Sequence, residues 1–126
     1  SPADVFRYDD LVTLMMGDTA LADTLLDMFV TNMPGDIDRL MTAIGSGDGE
    51  AVRSAAHFIK GAAANLCAPT LNATALEIER AGKQNDIQHA RNLQASLQLA
   101  WLAFLNHSKV VERLDALKLP KPGSDS

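Results

Sequence analysis

The sequence predicts an all-α protein, specifically an up-and-down four-helix bundle with a short N-terminal helix. Three observations support this fold class. Hydrophobic residues make up 47% of the 126 residues but aromatic residues only 5%, and Ala, Leu and other strong helix formers are abundant. Apolar side chains recur every three or four residues, as on the buried face of a helix. Clusters of Gly, Asp and Pro separate the long segments, and short connections favour antiparallel neighbours.

The N-terminal segment is short. Residues 1–7 are predicted to be a lead-in, followed by a helical turn that Gly17 ends. Asp18 is the predicted N-cap of the first long helix, because its carboxylate would accept hydrogen bonds from unpaired amides of the first turn. The short helical turn carries its apolar side chains at Leu11, Leu14 and Met15.

The first long helix is predicted over residues 19–44. Pro34 lies inside it and is expected to kink or interrupt it near Met33, because proline lacks the amide hydrogen that a helix interior needs. A turn is predicted over residues 45–49. The apolar positions of this helix are Leu21, Leu25, Met28, Phe29, Met33, Ile37, Leu40, Met41 and Ile44.

Two helices of moderate length follow. Asp48 is the expected N-cap of the first, which is predicted over residues 50–66 and ends before Pro69. The second is predicted over residues 70–81, with Gly82 as its stop signal.

The last helix is predicted to begin at the N-cap Asp86, to pass Leu105 and to continue as far as Leu114. The tail from Pro120 to Ser126 is rich in Pro, Gly and Ser, and we expect it to be disordered. The predicted organisation is a lead-in over residues 1–7, a helical bundle over 8–117 and a tail over 118–126.

Charge and composition exclude several function classes. A net charge of −5 argues against nucleic acid as a partner, because no basic stripe is present to neutralise a phosphate backbone. No apolar run reaches the length of a membrane span, so we expect no membrane contact by this domain. The lone Cys67 rules out an internal disulfide and suits the reducing cytoplasm. The chain starts at Ser1 rather than Met, and we expect it to be one domain of a longer protein.

His57 is the most informative residue of the helix predicted over residues 50–66. At about 100° per residue, the apolar positions gather on one side and His57 falls nearly opposite them. We therefore expect His57 on the polar surface. The core side comprises Val52, Ala55, Ile59, Ala62, Ala63 and Leu66, and the outer side comprises His57, Arg53, Lys60, Gly61 and Ala64.

The neighbours of His57 have a physical use. Gly61 lies one turn further on, where glycine costs a helix about 1 kcal/mol relative to alanine, and clearance for a docking partner would offset that loss. Ala64, on the same outer face, also has a small side chain that would leave this strip of surface without protruding groups. Lys60 and Arg53 place positive charge near the imidazole, which suits a phosphoryl group or an acidic partner. The plainer interpretation is a solvated helix face on which the histidine has no special role.

Residues 56–66 form a recognisable run, Ala-His-Phe-Ile-Lys-Gly-Ala-Ala-Ala-Asn-Leu. The run resembles the signature of histidine-containing phosphotransfer (HPt) domains, roughly A-H-x-L-K-G, four variable residues and an apolar one. Gly17-Asp18, Gly47-Asp48 and Ile78-Glu79 also fit the family pattern. The resemblance covers about residues 6–105.

This resemblance implies a role for each site residue. His57 would be phosphorylated on Nε2, Lys60 would steady the phosphoryl oxygens and Gly61 would keep the approach open. Glu79 would accept a hydrogen bond from Nδ1–H, which fixes the tautomer that leaves Nε2 free to attack. For Lys83 two interpretations stay open, added positive charge at the site or a surface pair with Glu79.

Two positions depart from the family pattern. Cys67 stands where many members have a second glycine, so the local backbone is in question, and its plain interpretation is a small buried hydrophobe. Ala62 replaces a frequent serine. Neither departure affects His57.

The implied function is that of a phosphorelay intermediate. An HPt domain accepts a phosphoryl group from a receiver-domain aspartate of a hybrid sensor kinase and passes it to a response regulator, as a monomer without a cofactor. No Gly-rich nucleotide loop or kinase signature is present, so we expect no ATP binding and no autophosphorylation, and whether the domain is an enzyme stays open. It would work in the cytoplasm, alone or as the C-terminal domain of a membrane-anchored hybrid sensor kinase.

The receiver is expected to dock over the face bearing His57. One alternative is an interaction module that binds a receiver or a kinase without carrying phosphate. Another is a metal-dependent bundle enzyme, but His89 and His107 lie in no paired Glu-x-x-His set, so no metal site is expected. The apolar docking residues are expected from the short N-terminal turn and the first long helix, namely Leu11, Met15 and Leu25 or Met28, unless these belong to the core.

Overall fold

Eight helical segments form the protein in the computed structural model, which describes residues 1–123. The all-α bundle is confirmed, and the described part of the chain contains no β-strand. The helices are α1 (Pro2–Val5), α2 (Tyr8–Leu14), α3 (Thr19–Ser46), α4 (Gly49–Asn65), α5 (Pro69–Lys83), α6 (Ile87–Asn92), α7 (Gln94–Leu105) and α8 (Ser108–Leu117).

The predicted N-caps are confirmed. Asp18, Asp48 and Asp86 each accept a hydrogen bond from a backbone amide in the first turn of the following helix, at 3.0–3.2 Å. A fourth cap was not predicted. Nδ1 of His107 accepts a hydrogen bond from the amide of Lys109 at 3.2 Å and so begins α8.

Of the two effects expected of Pro34, a kink or an interruption, the interruption is wrong, because α3 continues from Thr19 to Ser46. Pro34 itself is exposed, whereas Met33 and Ile37 beside it are buried in the core. Packing of the apolar face therefore holds the helix together across the one hydrogen bond that proline cannot make.

Two predicted helix ends lie elsewhere in the structure. α3 includes the first residues of the predicted turn and ends at Ser46, and its C-cap Gly47 has a φ of +74°, in the left-handed region that favours glycine. Gly82 does not stop α5, which runs to Lys83, and Gly82 is buried within it.

The prediction of one continuous last helix is wrong. The chain turns at Leu93 and again at Asn106, giving the three separate helices α6, α7 and α8. The second turn brings Val110 and Leu114 into the core against α3, which a straight continuation of α7 would not allow.

An aromatic cluster fills one end of the core. The ring of the fully buried Phe104 lies 5.1 Å, centroid to centroid, from each of Phe6 and Phe29, and it stacks on Trp101 at 5.7 Å. Phe6 belongs to the predicted lead-in, so that segment contributes to the core as well as forming α1.

No helix within residues 1–123 is long and apolar enough to cross a membrane. Beyond α8, Lys121 reaches back to Asp115 with 2.7 Å between Nζ and Oδ1. Disorder was predicted for the whole tail from residue 118 to residue 126, of which residues 124–126 lie outside the described residues.

Candidate functional site

The site lies along the seam between the antiparallel helices α4 and α5, which residues 66–68 connect. The centre of the buried face of α4 differs from the prediction, because Ala56 is fully buried and Ala55 only half-buried. α4 packs against α5 more closely than against α3, and its buried stripe is turned accordingly. His57 therefore lies at the edge of this seam, next to α5.

His57 contacts a carboxylate across the seam. Its side chain is 61% exposed, yet Nδ1 lies 2.5 Å from Oε2 of Glu79, whose side chain is only 14% exposed. An ionised carboxylate only accepts hydrogen bonds, so Nδ1 must carry the hydrogen. In this tautomer Nε2 keeps its lone pair, and no group of residues 1–123 forms a hydrogen bond with it.

Lys60 binds the other oxygen of the same carboxylate. Its Nζ lies 2.7 Å from Oε1 of Glu79. Partial burial opposes ionisation of Glu79, but the hydrogen bonds from Lys60 and His57 outweigh it, and the pKa of Glu79 lies below its usual value. Glu79 is thus an anion that connects the imidazole to the ammonium group.

Gly61 leaves open space on the solvent side of this network. A Cβ built on Gly61 meets no atom outside its own helix backbone within 4 Å, so the packing of this chain does not require glycine there. Ala64 is exposed one turn further on. The surface beside His57 therefore carries no large side chain at Gly61 or Ala64, as expected for a strip that another protein approaches.

Arg53 and Lys83 lie outside the hydrogen-bonded network. The guanidinium of Arg53 pairs with Glu50 on the same helix, at 2.7 and 2.9 Å. Lys83 is exposed and forms no ion pair with Glu79, whose two oxygens already bind other groups. The interpretation of Lys83 as a surface partner of Glu79 is wrong.

An apolar groove runs beside the strip, between α3 and α4. Leu11, one of the expected docking residues, is fully buried, because it forms part of the core beneath α2. The exposed apolar residue of α2 is Leu14, one turn later, which sequence reasoning did not select as a contact. The exposed large apolar side chains of this groove are Leu14, Met28 and Phe58, with Met15 and Leu25 half-buried beside them.

Cys67 has a φ of +59°, in the left-handed region that glycine adopts most easily. This conformation gives a physical reason for the glycine of the family pattern at this position. The thiol is half-buried, and burial raises the pKa of Cys67. Its carbonyl oxygen accepts a hydrogen bond from the amide of Arg7 at 2.9 Å, which ties the N-terminal segment to the end of α4.

Two features of the seam were missed by sequence reasoning. The side-chain amide of Asn72 donates a hydrogen bond to the carbonyl of Lys60 at 3.0 Å, and Gly82 touches the backbone of α4. The sequence did carry a signal for both, because their spacing from Glu79 places all three residues on the same face of α5. Within residues 1–123, no three His, Cys, Asp or Glu side chains cluster as metal ligands would.

Comparison with known proteins identifies the family. The family model for the Hpt domain matches residues 24–117. A crystal structure titled as the HPT domain of the Hpt sensor hybrid histidine kinase from Shewanella is similar, with a TM-score of 0.74 and 23% sequence identity, covering 90% of this chain and 97% of that chain. No curated protein matches this chain.

The chain belongs to the Hpt domain family and has its helical-bundle fold. It is a phosphotransfer module of two-component signalling, a class whose members interact with receiver domains.

Proposed function

We propose that this domain is a phosphorelay intermediate that accepts a phosphoryl group on Nε2 of His57 from a receiver aspartate and passes it to the aspartate of a response regulator. The observation that carries the proposal is the exposed imidazole, with Nδ1 bound to Glu79 and Nε2 bound by no group of residues 1–123.

The transfer step needs no proton to leave the ring. The lone pair of Nε2 attacks the phosphorus, and the phosphorus–oxygen bond breaks with its electron pair returning to the receiver's carboxylate. Because Nδ1 keeps its hydrogen, the phosphorylated ring carries a positive charge, which the anionic Glu79 stabilises at 2.5 Å. The reverse step to the second receiver uses the same contacts.

Lys60 has two partners in this proposal. In the resting protein its ammonium is bound to Glu79. A phosphoryl group on the neighbouring imidazole brings new oxygens within reach of its flexible stem, and Lys60 would then neutralise part of their charge. Arg53 and Lys83 would act only through their field on the acidic face of an approaching receiver.

The docking surface in this proposal is the strip over Gly61 and Ala64 together with the apolar groove of Leu14, Met28 and Phe58. Exposed apolar side chains at this density favour a protein partner. The acidic groups and Mg²⁺ of the reaction would come from the receiver. We place the relay in the cytoplasm, with this domain acting as a monomer.

The test is incubation of the domain with a phosphorylated receiver. We expect an acid-labile, alkali-stable label on the wild-type chain and none on His57→Gln. His89→Gln is the matched control, because His89 is also exposed but lies on α6 and should keep the label.

Two outcomes contradict the proposal. Label on His57→Gln would place the phosphoryl group on another residue. Binding of the receiver without transfer from any donor would instead support an interaction module that carries no phosphate.

A further inference from the structure

Helices α4 and α5 touch at backbone level, at Gly49 and Gly82. A Cβ built on Gly82 would lie 2.6 Å from the amide nitrogen of Arg53 and 2.8 Å from the carbonyl oxygen of Gly49. A Cβ on Gly49 would in turn lie 2.9 Å from the carbonyl oxygen of Gly82. Gly49 is the first residue of α4 and Gly82 lies inside α5, and neither has a positive φ, so close approach, not backbone conformation, requires them.

This glycine contact lies one helical turn from the reactive histidine. Gly82 faces Arg53, one turn before His57 on α4, while Glu79 lies one turn before Gly82 on α5. In an antiparallel helix pair these are successive levels of the same seam. The separation of the helices at Gly82 therefore governs their separation at Glu79.

The other end of the seam is held by Asn72. Its side-chain amide donates a hydrogen bond to the carbonyl of Lys60 at 3.0 Å. If the helices were forced apart at Gly82, α5 would pivot about this bond. Glu79 is closer to Gly82 than to Asn72 along α5, so most of the opening would reach it.

The contacts of the Glu79 carboxylate depend on a short distance between α4 and α5. Its two oxygens are bound at 2.5 Å to His57 and at 2.7 Å to Lys60. A methyl group on Gly82 needs about 1 Å more space before its contacts with backbone atoms become ordinary. An opening of that size exceeds the range over which a hydrogen bond keeps its strength.

We propose that Gly49 and Gly82 are positioning residues for the phosphotransfer site. By letting α5 approach α4 without a side chain between them, they bring Glu79 within hydrogen-bond distance of Nδ1 and thereby fix the tautomer of His57. The consequence for transfer rests on the proposed function, whereas the consequence for the tautomer does not.

The experiment measures the ¹⁵N signals of the His57 ring in the unphosphorylated full chain near neutral pH. The wild type should show a protonated Nδ1 and an unprotonated Nε2. Gly82→Ala should show a mixture of both neutral tautomers, and its transfer from a phosphorylated receiver should fall by about tenfold. Gly45→Ala is the matched control, because Gly45 is also inside a helix but a Cβ there meets no atom within 4 Å.

Glu79→Asp withdraws the carboxylate from His57 without adding an atom at the glycine contact. It therefore tests the same dependence on distance if Gly82→Ala does not fold. The shorter carboxylate should give the same tautomer mixture. Wild-type ring signals in a folded Gly82→Ala, or in Glu79→Asp, would overturn the proposal. A tautomer shift in a chain whose wild type accepts no phosphoryl group would leave the positioning role standing and overturn the proposed function instead.

Discussion

Two helix seams of this domain join carboxylates to cations, and they differ in one respect. Between α3 and α8, the guanidinium of Arg113 binds both oxygens of Asp27 at 2.8 Å, and the hydroxyl of Tyr8 donates to Asp23 at 2.8 Å. Each of these groups finds its partner within the chain. Between α4 and α5, Glu79 likewise binds two groups, but one of them is an exposed imidazole whose other nitrogen has no partner in the described part of the chain.

The difference separates a structural network from a chemical one. The α3–α8 network is complete, and it joins α2, α3 and α8 without leaving a group to react. The α4–α5 network ends at Nε2 of His57, which no group of residues 1–123 binds and which the proposed function assigns to the phosphoryl group. Under the proposed function, similar ion pairs serve stability in one seam and reactivity in the other, and four predictions follow from this comparison.

The largest expected effect is on transfer at the α4–α5 seam. Glu79→Gln removes the negative charge that stabilises the phosphorylated ring, and we expect the transfer rate to fall by about 10–100-fold. Stopped-time labelling from a phosphorylated receiver measures this rate. Glu77→Gln on the same helix is the control, because Glu77 is exposed and should leave the rate unchanged. An unchanged rate in Glu79→Gln would remove Glu79 from the mechanism.

The second prediction concerns the α3–α8 seam. Arg113→Met leaves Asp27 and Asp23 close together without their cation, and the free energy of unfolding should fall by about 1–2 kcal/mol. Urea denaturation measures this change, and the transfer rate should stay at its wild-type value. Lys121→Met, which breaks an exposed pair with Asp115, should cost under about 0.5 kcal/mol. A loss of transfer in folded Arg113→Met would contradict the separation of the two networks.

The third prediction separates stability from transfer at one residue. Gly61→Ala should raise the free energy of unfolding by about 0.5–1 kcal/mol, because glycine is unfavourable in a helix interior and the added methyl meets nothing in this chain. The transfer rate should nevertheless fall, and fall further in Gly61→Leu, because the partner must approach there. Unchanged transfer in both variants would show that no partner passes over this strip.

The smallest expected effect is a pH dependence at the start of α8. Burial lowers the pKa of His107, whose Nδ1 must stay unprotonated to cap the helix. The folded state therefore disfavours protonation of His107. The contribution of the neutral cap to the free energy of unfolding is complete at pH 7 and decreases as the pH drops below 6.5, the ordinary pKa of histidine. His107→Asn keeps a neutral cap and should flatten the pH profile of unfolding by about 0.5 kcal/mol between pH 7 and 5. Parallel profiles for the two proteins would contradict this.

Local signals in the sequence were enough for much of the fold. The caps at Asp18, Asp48 and Asp86 and the apolar periodicity of α3 and α4 depend on residues close together in the chain. The predictions were wrong where contacts between residues far apart in the chain determine whether a helix continues or ends. Pro34 does not interrupt α3 because the core holds both sides of it, and the last helix divides because Val110 and Leu114 pack against a helix from the other half of the domain.

By itself the sequence determined the helical class, the exposed position of His57 and, through the run around it, the family. These follow from spacing within single helices, which is a local property. Only the tertiary structure decided which groups the imidazole meets. Glu79 is 22 residues away, and its contact depends on how closely two helices approach, which the sizes of side chains at Gly49 and Gly82 set. Periodicity places a residue on a face, but the distance across a seam depends on packing between helices.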